Sequence, residues 1–167
     1  MTTPNTLQPR LSAATPDAGS GPGSGSGSTC NSPVPGAGEA VADCCPSLRI
    51  ITMPKDTNNY GTVFGGVILS YIDQAGYIEA RKHGVHRWVT VAMDKVVFLA
   101  PVFVGDTVNF LTCTLREGTR SVTVQVAVDV ERFTTGERVR VTEAQLTFVA
   151  VDATGKAIDY RSAPTAM

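Results

Sequence analysis

The sequence predicts an α+β fold in which a curved antiparallel sheet wraps one long central helix. Three observations carry this. From about Gly65 to Lys82 the chain reads as a helix that is apolar nearly all the way round. From Arg87 onward the pattern changes to period two and gives four strands joined mostly by tight turns. A short apolar run, Leu48 to Met53, precedes the helix as a first strand. A helix apolar on every side is one that must be covered. Strands joined by hairpins are antiparallel neighbours, and four of them hide such a helix only by curling about it.

The elements follow in order. The first strand stops at Pro54, and the loop Pro54 to Gly61 is built of turn formers. The helix opens at the pair Gly65-Gly66 and is closed by His83-Gly84, the usual glycine stop. Val89 to Leu99 is the next strand and ends before Pro101. Asp106 to Leu115 follows the turn Val104-Gly105. Arg116 to Thr119 makes a hairpin turn. Then Val122, Val124, Val126, Val128 and Val130 face one way, while Thr123, Gln125, Ala127, Asp129 and Glu131 face the other. Val139 to Val151 is the last strand.

The 167 residues suffice for one domain with a real core, and 43% hydrophobic with 17% charged residues is ordinary for a globular chain. Residues 1–46 read as a disordered tail rich in Gly, Ser and Pro, unable to offset their ordering entropy by burial. Residues 47–158 form the domain, and 159–167 a short C-terminal tail. A net charge of -1 gives no footprint for nucleic acid. No apolar run reaches the ~20 residues of a membrane helix, and the N-terminal stretch has no apolar segment of a secretory signal. The four cysteines, Cys30, Cys44, Cys45 and Cys113, contain no C-x-x-C, so no metal is expected. Cys113, within a strand, is expected to be a small buried hydrophobe, and a reducing cytoplasm is the simplest compartment.

One carboxylate stands out. Gly66, Ser70, Asp73 and Tyr77 share a narrow polar strip of the central helix. Asp73 lies too deep in the helix to cap it, and no Lys or Arg stands three or four residues away. A carboxylate there is either structural, bonded to Ser70 or a neighbouring strand, or functional. Asn58, in Asp-Thr-Asn-Asn, is turn chemistry on its own. Gly65 and Gly66 either allow close helix-to-sheet packing or bare the first N–H groups of the helix. His83 suits a helix C-terminus, and neither His83 nor His86 is expected to be catalytic.

The same residues carry a resemblance. Met53-Pro54-Lys55-Asp56-Thr57-Asn58, Phe64-Gly65-Gly66, Asp73, Val89-Thr90-Val91-Ala92, Phe98-Leu99-Ala100-Pro101-Val102, Val104-Gly105-Asp106, Thr142-Glu143-Ala144 and Phe148 to Asp152 resemble the hotdog-fold acyl-CoA thioesterases of the YciA-like, cytosolic acyl-CoA hydrolase group. The resemblance spans Leu48 to Lys156. It implies hydrolysis of acyl-CoA to a free acid and CoA. Asn58 and Asp73 fall on the catalytic positions, contributed by opposite subunits of a dimer. Gly65 and Gly66 would supply the oxyanion donors, and Asp73 would act as general base or attack directly. CoA contacts fall on Val91-Ala92-Met93 and on Arg120-Ser121-Val122, where Arg120 suits a phosphate. Tyr60 is bulkier than the residue common at that position and is expected to narrow or line the acyl entrance. No cofactor is implied, CoA being part of substrate and product. A homodimer is expected, assembling further to a tetramer or a trimer of dimers, with no nucleic-acid or membrane partner.

Two other functions compete. A non-catalytic acyl-CoA-binding regulatory module on the same fold would usually carry a DNA-binding segment, and none is seen. A hotdog dehydratase would use a loop His, where this chain has Asn58.

Overall fold

The computed structural model describes residues 44–162. The tail readings for 1–43 and 163–167 lie outside the described residues. Strand β1 is Cys45–Ile51, helix α1 is Gly65–Ala80, and strands β2, β3, β4 and β5 are Arg87–Phe98, Thr107–Glu117, Ser121–Glu131 and Arg138–Val151. Single turns of 3-10 helix occupy Pro54–Asp56 and Arg81–His83. The five strands form one sheet in the order β1-β3-β4-β5-β2, with every neighbouring pair antiparallel. β1 and β2 are its edges.

The predicted element order holds, with shifted boundaries. β1 begins at Cys45, three residues ahead of Leu48. The helix proper stops at Ala80 and passes into a 3-10 turn over Arg81–His83, where Gly84 N donates to Arg81 O (3.2 Å). Gly84, at φ +141°, then ends it.

The valine face of β4 behaves as its alternation requires. Val122, Val124, Val126, Val128 and Val130 are all buried against α1. Across the sheet they meet Val108 and Phe110 of β3 and Ala144, Leu146 and Phe148 of β5. The opposite face is covered in its middle as well. Asp129 pairs with Arg140, which also holds Glu143, and Ala127 packs on Leu111, Cys113 and Cys44. Tyr160, within the expected C-terminal tail, is buried on Trp88, with ring centroids 5.3 Å apart.

Two expectations need correction. Within one protomer α1 is not covered all round. Ile68, Ile72, Ala75, Gly76, Glu79 and Ala80 are buried, while Gly66, Ser70, Gln74 and Ile78 form an exposed stripe at i,i+4 spacing. One five-stranded sheet can wrap only one side of a helix. Cys113 is also not simply a buried thiol, since it is disulfide-bonded to Cys44 across 69 residues. The cause is register: Cys45 pairs with Thr112, which sets the preceding residue beside Cys113.

The far end of α1 is anchored by an acid to which sequence reading gave no role. Glu79, 6% exposed, accepts hydrogen bonds from Thr112 (2.8 Å), Thr114 (3.2 Å) and Lys82 (2.5 Å). Burial alone raises its pKa. The Lys82 and threonine hydrogen bonds, with the Lys82 charge, outweigh burial and hold it below the ordinary 4.5.

Two outcomes are expected. A β-carbon at Gly76 would lie 2.9 Å from the buried Phe148 ring. Gly76→Ala should therefore destabilise by about 1–3 kcal/mol despite alanine's better helix propensity, and a urea midpoint equal to wild type would show that the ring yields. Because the Glu79 pKa is depressed on folding, its stabilisation is present above 4.5 and is lost as pH falls through the folded value. The gap in melting temperature between wild type and Glu79→Gln should be widest near neutrality and narrow below pH 4.5; a gap independent of pH contradicts this.

Candidate active site at the start of the central helix

The loop before α1 is a hydrogen-bonded turn centred on Asn58. Asn58 Oδ1 accepts the amides of Tyr60 (2.9 Å) and Thr62 (3.2 Å), and Asn58 Nδ2 donates to Thr62 Oγ1 (2.8 Å). Gly61, at φ +78°, takes the left-handed conformation the turn needs. The turn reading of Asn58 is thus real. The amide nitrogen has two N–H groups and spends one on Thr62, leaving the other for a ligand.

The chain then enters α1 without a side-chain cap, because Phe64 occupies the N-cap position. The amides of Val67 and Ile68 both reach Phe64 O. Those of Gly65 and Gly66 have no acceptor within the helix. Nothing lies within 4 Å of where a Gly66 β-carbon would be, and Gly66 is exposed. Gly65 differs: its β-carbon would stand 3.3 Å from the Phe98 ring. So Gly65 permits close packing, and Gly66 leaves the helix start open.

Beside Gly65 lies an open cleft of about 410 Å3. Val63, Ile68 and Val102 form its buried wall, and Phe98, Leu99 and Pro101 its rim. Tyr60 does not line it and is 90% exposed. The cleft wall is fixed from below. Val63 N donates to Val102 O (2.8 Å), and the buried Asp106 accepts Phe103 N (3.0 Å), Phe133 N (3.3 Å) and Arg132 Nη1 (2.5 Å).

Asp73 is half-buried and makes no ion pair among the described residues. Its Oδ1 accepts the Thr90 hydroxyl of β2 at 2.6 Å. Thr90 was not singled out from sequence. The available signal was its phase: it falls two residues after the buried Trp88, on the same face of β2, although Thr90 itself is exposed. At ~1.5 Å per residue, Asp73 lies about 11 Å along the axis from Gly66. One protomer therefore does not bring Asp73 to the helix start. His83 and His86 sit beyond the other end of α1, on Thr114 Oγ1 and Tyr160 O respectively.

The two stretches expected at CoA lie side by side. Register aligns Val89, Val149 and Ser121 in one row, and Ala92, Thr147 and Thr123 two rows on. Two inter-strand steps separate them, about 10 Å. Thr90, beneath Asp73, shares its row with Phe148 and Val122. Val91 is 59% exposed, skipped by the register at a bulge. Arg120 is exposed, while Ala92, Met93 and Ser121 are half-buried. Val122 is fully buried, so only its backbone can face a ligand.

Comparison with known proteins gives a consistent answer. Residues 60–137 match the family model of the thioesterase superfamily. The acyl-CoA thioester hydrolase YciA of Escherichia coli is 40% identical over 112 residues, which is 65% of this chain and 85% of YciA. A hexameric hotdog fold thioesterase of Campylobacter jejuni superposes with TM-score 0.65 at 43% identity, over 68% of this chain and 88% of that one. An acyl-CoA hydrolase from Staphylococcus aureus, solved with butyryl coenzyme A, coenzyme A and coenzyme A disulfide, superposes with TM-score 0.63 at 32% identity, over 70% of each. An uncapped helix start on an apolar cleft, carried by this sheet order and matched over most of YciA's length, means that the chain belongs to the thioesterase superfamily, among the hotdog-fold acyl-CoA thioester hydrolases.

Proposed function

We propose that this protein hydrolyses acyl-CoA to a carboxylic acid and CoA, using water and no cofactor, at a site shared by two protomers. The observation that carries the reading is the open helix start at Gly65 and Gly66, with an unpaired carboxylate two turns further along the same helix. The two N–H groups suit the carbonyl oxygen of a thioester and the negative charge it gains on attack. The base must stand within hydrogen-bond reach of the attacking water, and about 11 Å is too far. A second protomer resolves this. β2 is an edge strand that exposes Val89, Val91, Val97 and Phe98, an apolar edge that calls for covering. The Asp73–Thr90 hydrogen bond sets α1 close to that edge. A two-fold axis perpendicular to β2, pairing that edge antiparallel with its copy, would reverse the direction of the second α1 and bring Asp73 of the partner subunit toward the helix start of the first.

In this reading Asp73 of the partner subunit takes a proton from water, oriented by the remaining N–H of Asn58. The oxygen attacks the carbonyl carbon, and its oxyanion rests on Gly65 and Gly66. The C–S bond then breaks, and CoA leaves as thiolate and collects a proton. Thr90 is a positioning residue that fixes the carboxylate through Oδ1 and leaves Oδ2 for water. The exposed Arg120, near the Val89–Met93 rows, suits a CoA phosphate. Related proteins are described as hexameric, and the proposed dimer is the unit from which such an assembly would be built.

Asp73→Asn should lower thiol release from acyl-CoA by orders of magnitude with the oligomer intact; full activity would remove the base from this account. Mixing Asp73→Asn with Asn58→Asp, which keeps the turn acceptor and removes the donor, tests the shared site. Half of randomly paired dimers would be mixed, each with one of two sites whole, so activity should return to about a quarter of wild type. No recovery would place both groups in one chain. Thr90→Val should cut kcat by about tenfold with unchanged melting temperature; an unchanged kcat would show that Asp73 needs no such hold.

A further inference from the structure

The open cleft beside Gly65 has not been given an occupant. We infer that it receives the acyl arm of the thioester, and that Phe98 sets how long or bulky an arm is admitted. This rests on the thioesterase reading above and goes beyond it to the substrate's shape.

A carbonyl oxygen held at the Gly65 and Gly66 amides leaves two substituents on its carbon, the sulfur with its CoA arm and the acyl chain. The cleft begins at Gly65, so one of them must enter it. Val63, Ile68, Leu99, Pro101 and Val102 present hydrocarbon, and Thr62 is the one polar side chain in the lining. The CoA arm carries amides and phosphates that would lose their hydrogen bonds to water there without replacement. A hydrocarbon chain loses nothing and gains burial. CoA also has a charge-matched path elsewhere, toward Arg120.

Phe98 is placed to limit what enters. Its ring packs 3.3 Å from the position of a Gly65 β-carbon, next to the proposed carbonyl site. It lines the cleft from the end of β2, beside the helix start. Its backbone is held to β5, by pairing with Thr142 and by the Leu99 N to Val141 O bond of 2.7 Å. The close approach of the Gly65 backbone limits how far the ring can move to that side for a longer chain. Tyr60 is fully turned to solvent and does not serve this purpose in its own protomer.

The test is thiol release from acetyl-, hexanoyl- and dodecanoyl-CoA by wild type, Phe98→Leu, Phe98→Ala and Phe98→Trp. The ratio of kcat/KM for dodecanoyl- over acetyl-CoA should rise about tenfold or more in the alanine variant, rise less in the leucine variant, and fall in the tryptophan variant. A ring with a merely structural role would lower all substrates together and leave the ratio alone. Ratios within twofold of wild type across the variants that fold, with wild type active, overturn the assignment of Phe98. Should wild type release thiol from none of the three, the thioesterase reading itself falls, and this inference with it.

Discussion

The first backbone N–H groups of a helix have no acceptor in that helix, and the site depends on how the chain leaves them. Here α1 starts directly after Phe64, whose side chain cannot cap. A Ser or Asp at that position would consume one of the donors. An uncapped start costs about 1 kcal/mol relative to a capped one, so the entry must be held by other means. Phe64 N donates to Asp56 O and Val63 N to Val102 O. Ile68, Ile72 and Ala75 then drive the first turns into the sheet. The open donors are thus retained by contacts on either side of them, and Gly66 ensures that no side chain covers them.

The half-buried Asp73 contrasts with the buried acids among the described residues. Asp106 has Arg132, Asp129 has Arg140 and Glu79 has Lys82. Each is saturated and ties one element to another: a cleft loop to the β4–β5 turn, β4 to β5, and the end of α1 to β3. Asp73 has only the neutral hydroxyl of Thr90. Among the described residues no cation pairs with it, and its second oxygen has no partner, which sets it apart from the three anchors and suits the proposed proton acceptor.

This division was half-visible in the sequence. Asp73 stood out because no cation lies three or four residues from it, and among the described residues none pairs with it in three dimensions either. Glu79 escaped notice because Lys82, three residues on, gives it the look of an ordinary surface pair. Its burial comes from Thr112 and Thr114, more than thirty residues away, which no helical spacing reveals. The strands of β3 to β5 were legible because alternation is local. The Cys44–Cys113 bond was not, since it follows from the register of β1 on β3. Phe98 was noticed only within a longer stretch. Its closeness to Gly65 depends on where the β2–β3 connection folds back, a property of the whole sheet and not of any window of sequence.

The separation of the donors from the acid has a further consequence. Helix rise is fixed, so no adjustment of side chains within one chain brings Asp73 to an atom held at Gly66. The edge strand that most needs covering is β2, and β2 also carries Thr90, the group that orients Asp73. Covering the apolar edge and completing the site would then be one event. An isolated protomer would keep both an exposed strand edge and an idle carboxylate. Under this arrangement activity is coupled to association by mass action, and Val89, Val91, Val97 and Phe98 on the β2 edge are the exposed apolar residues that a second copy would bury.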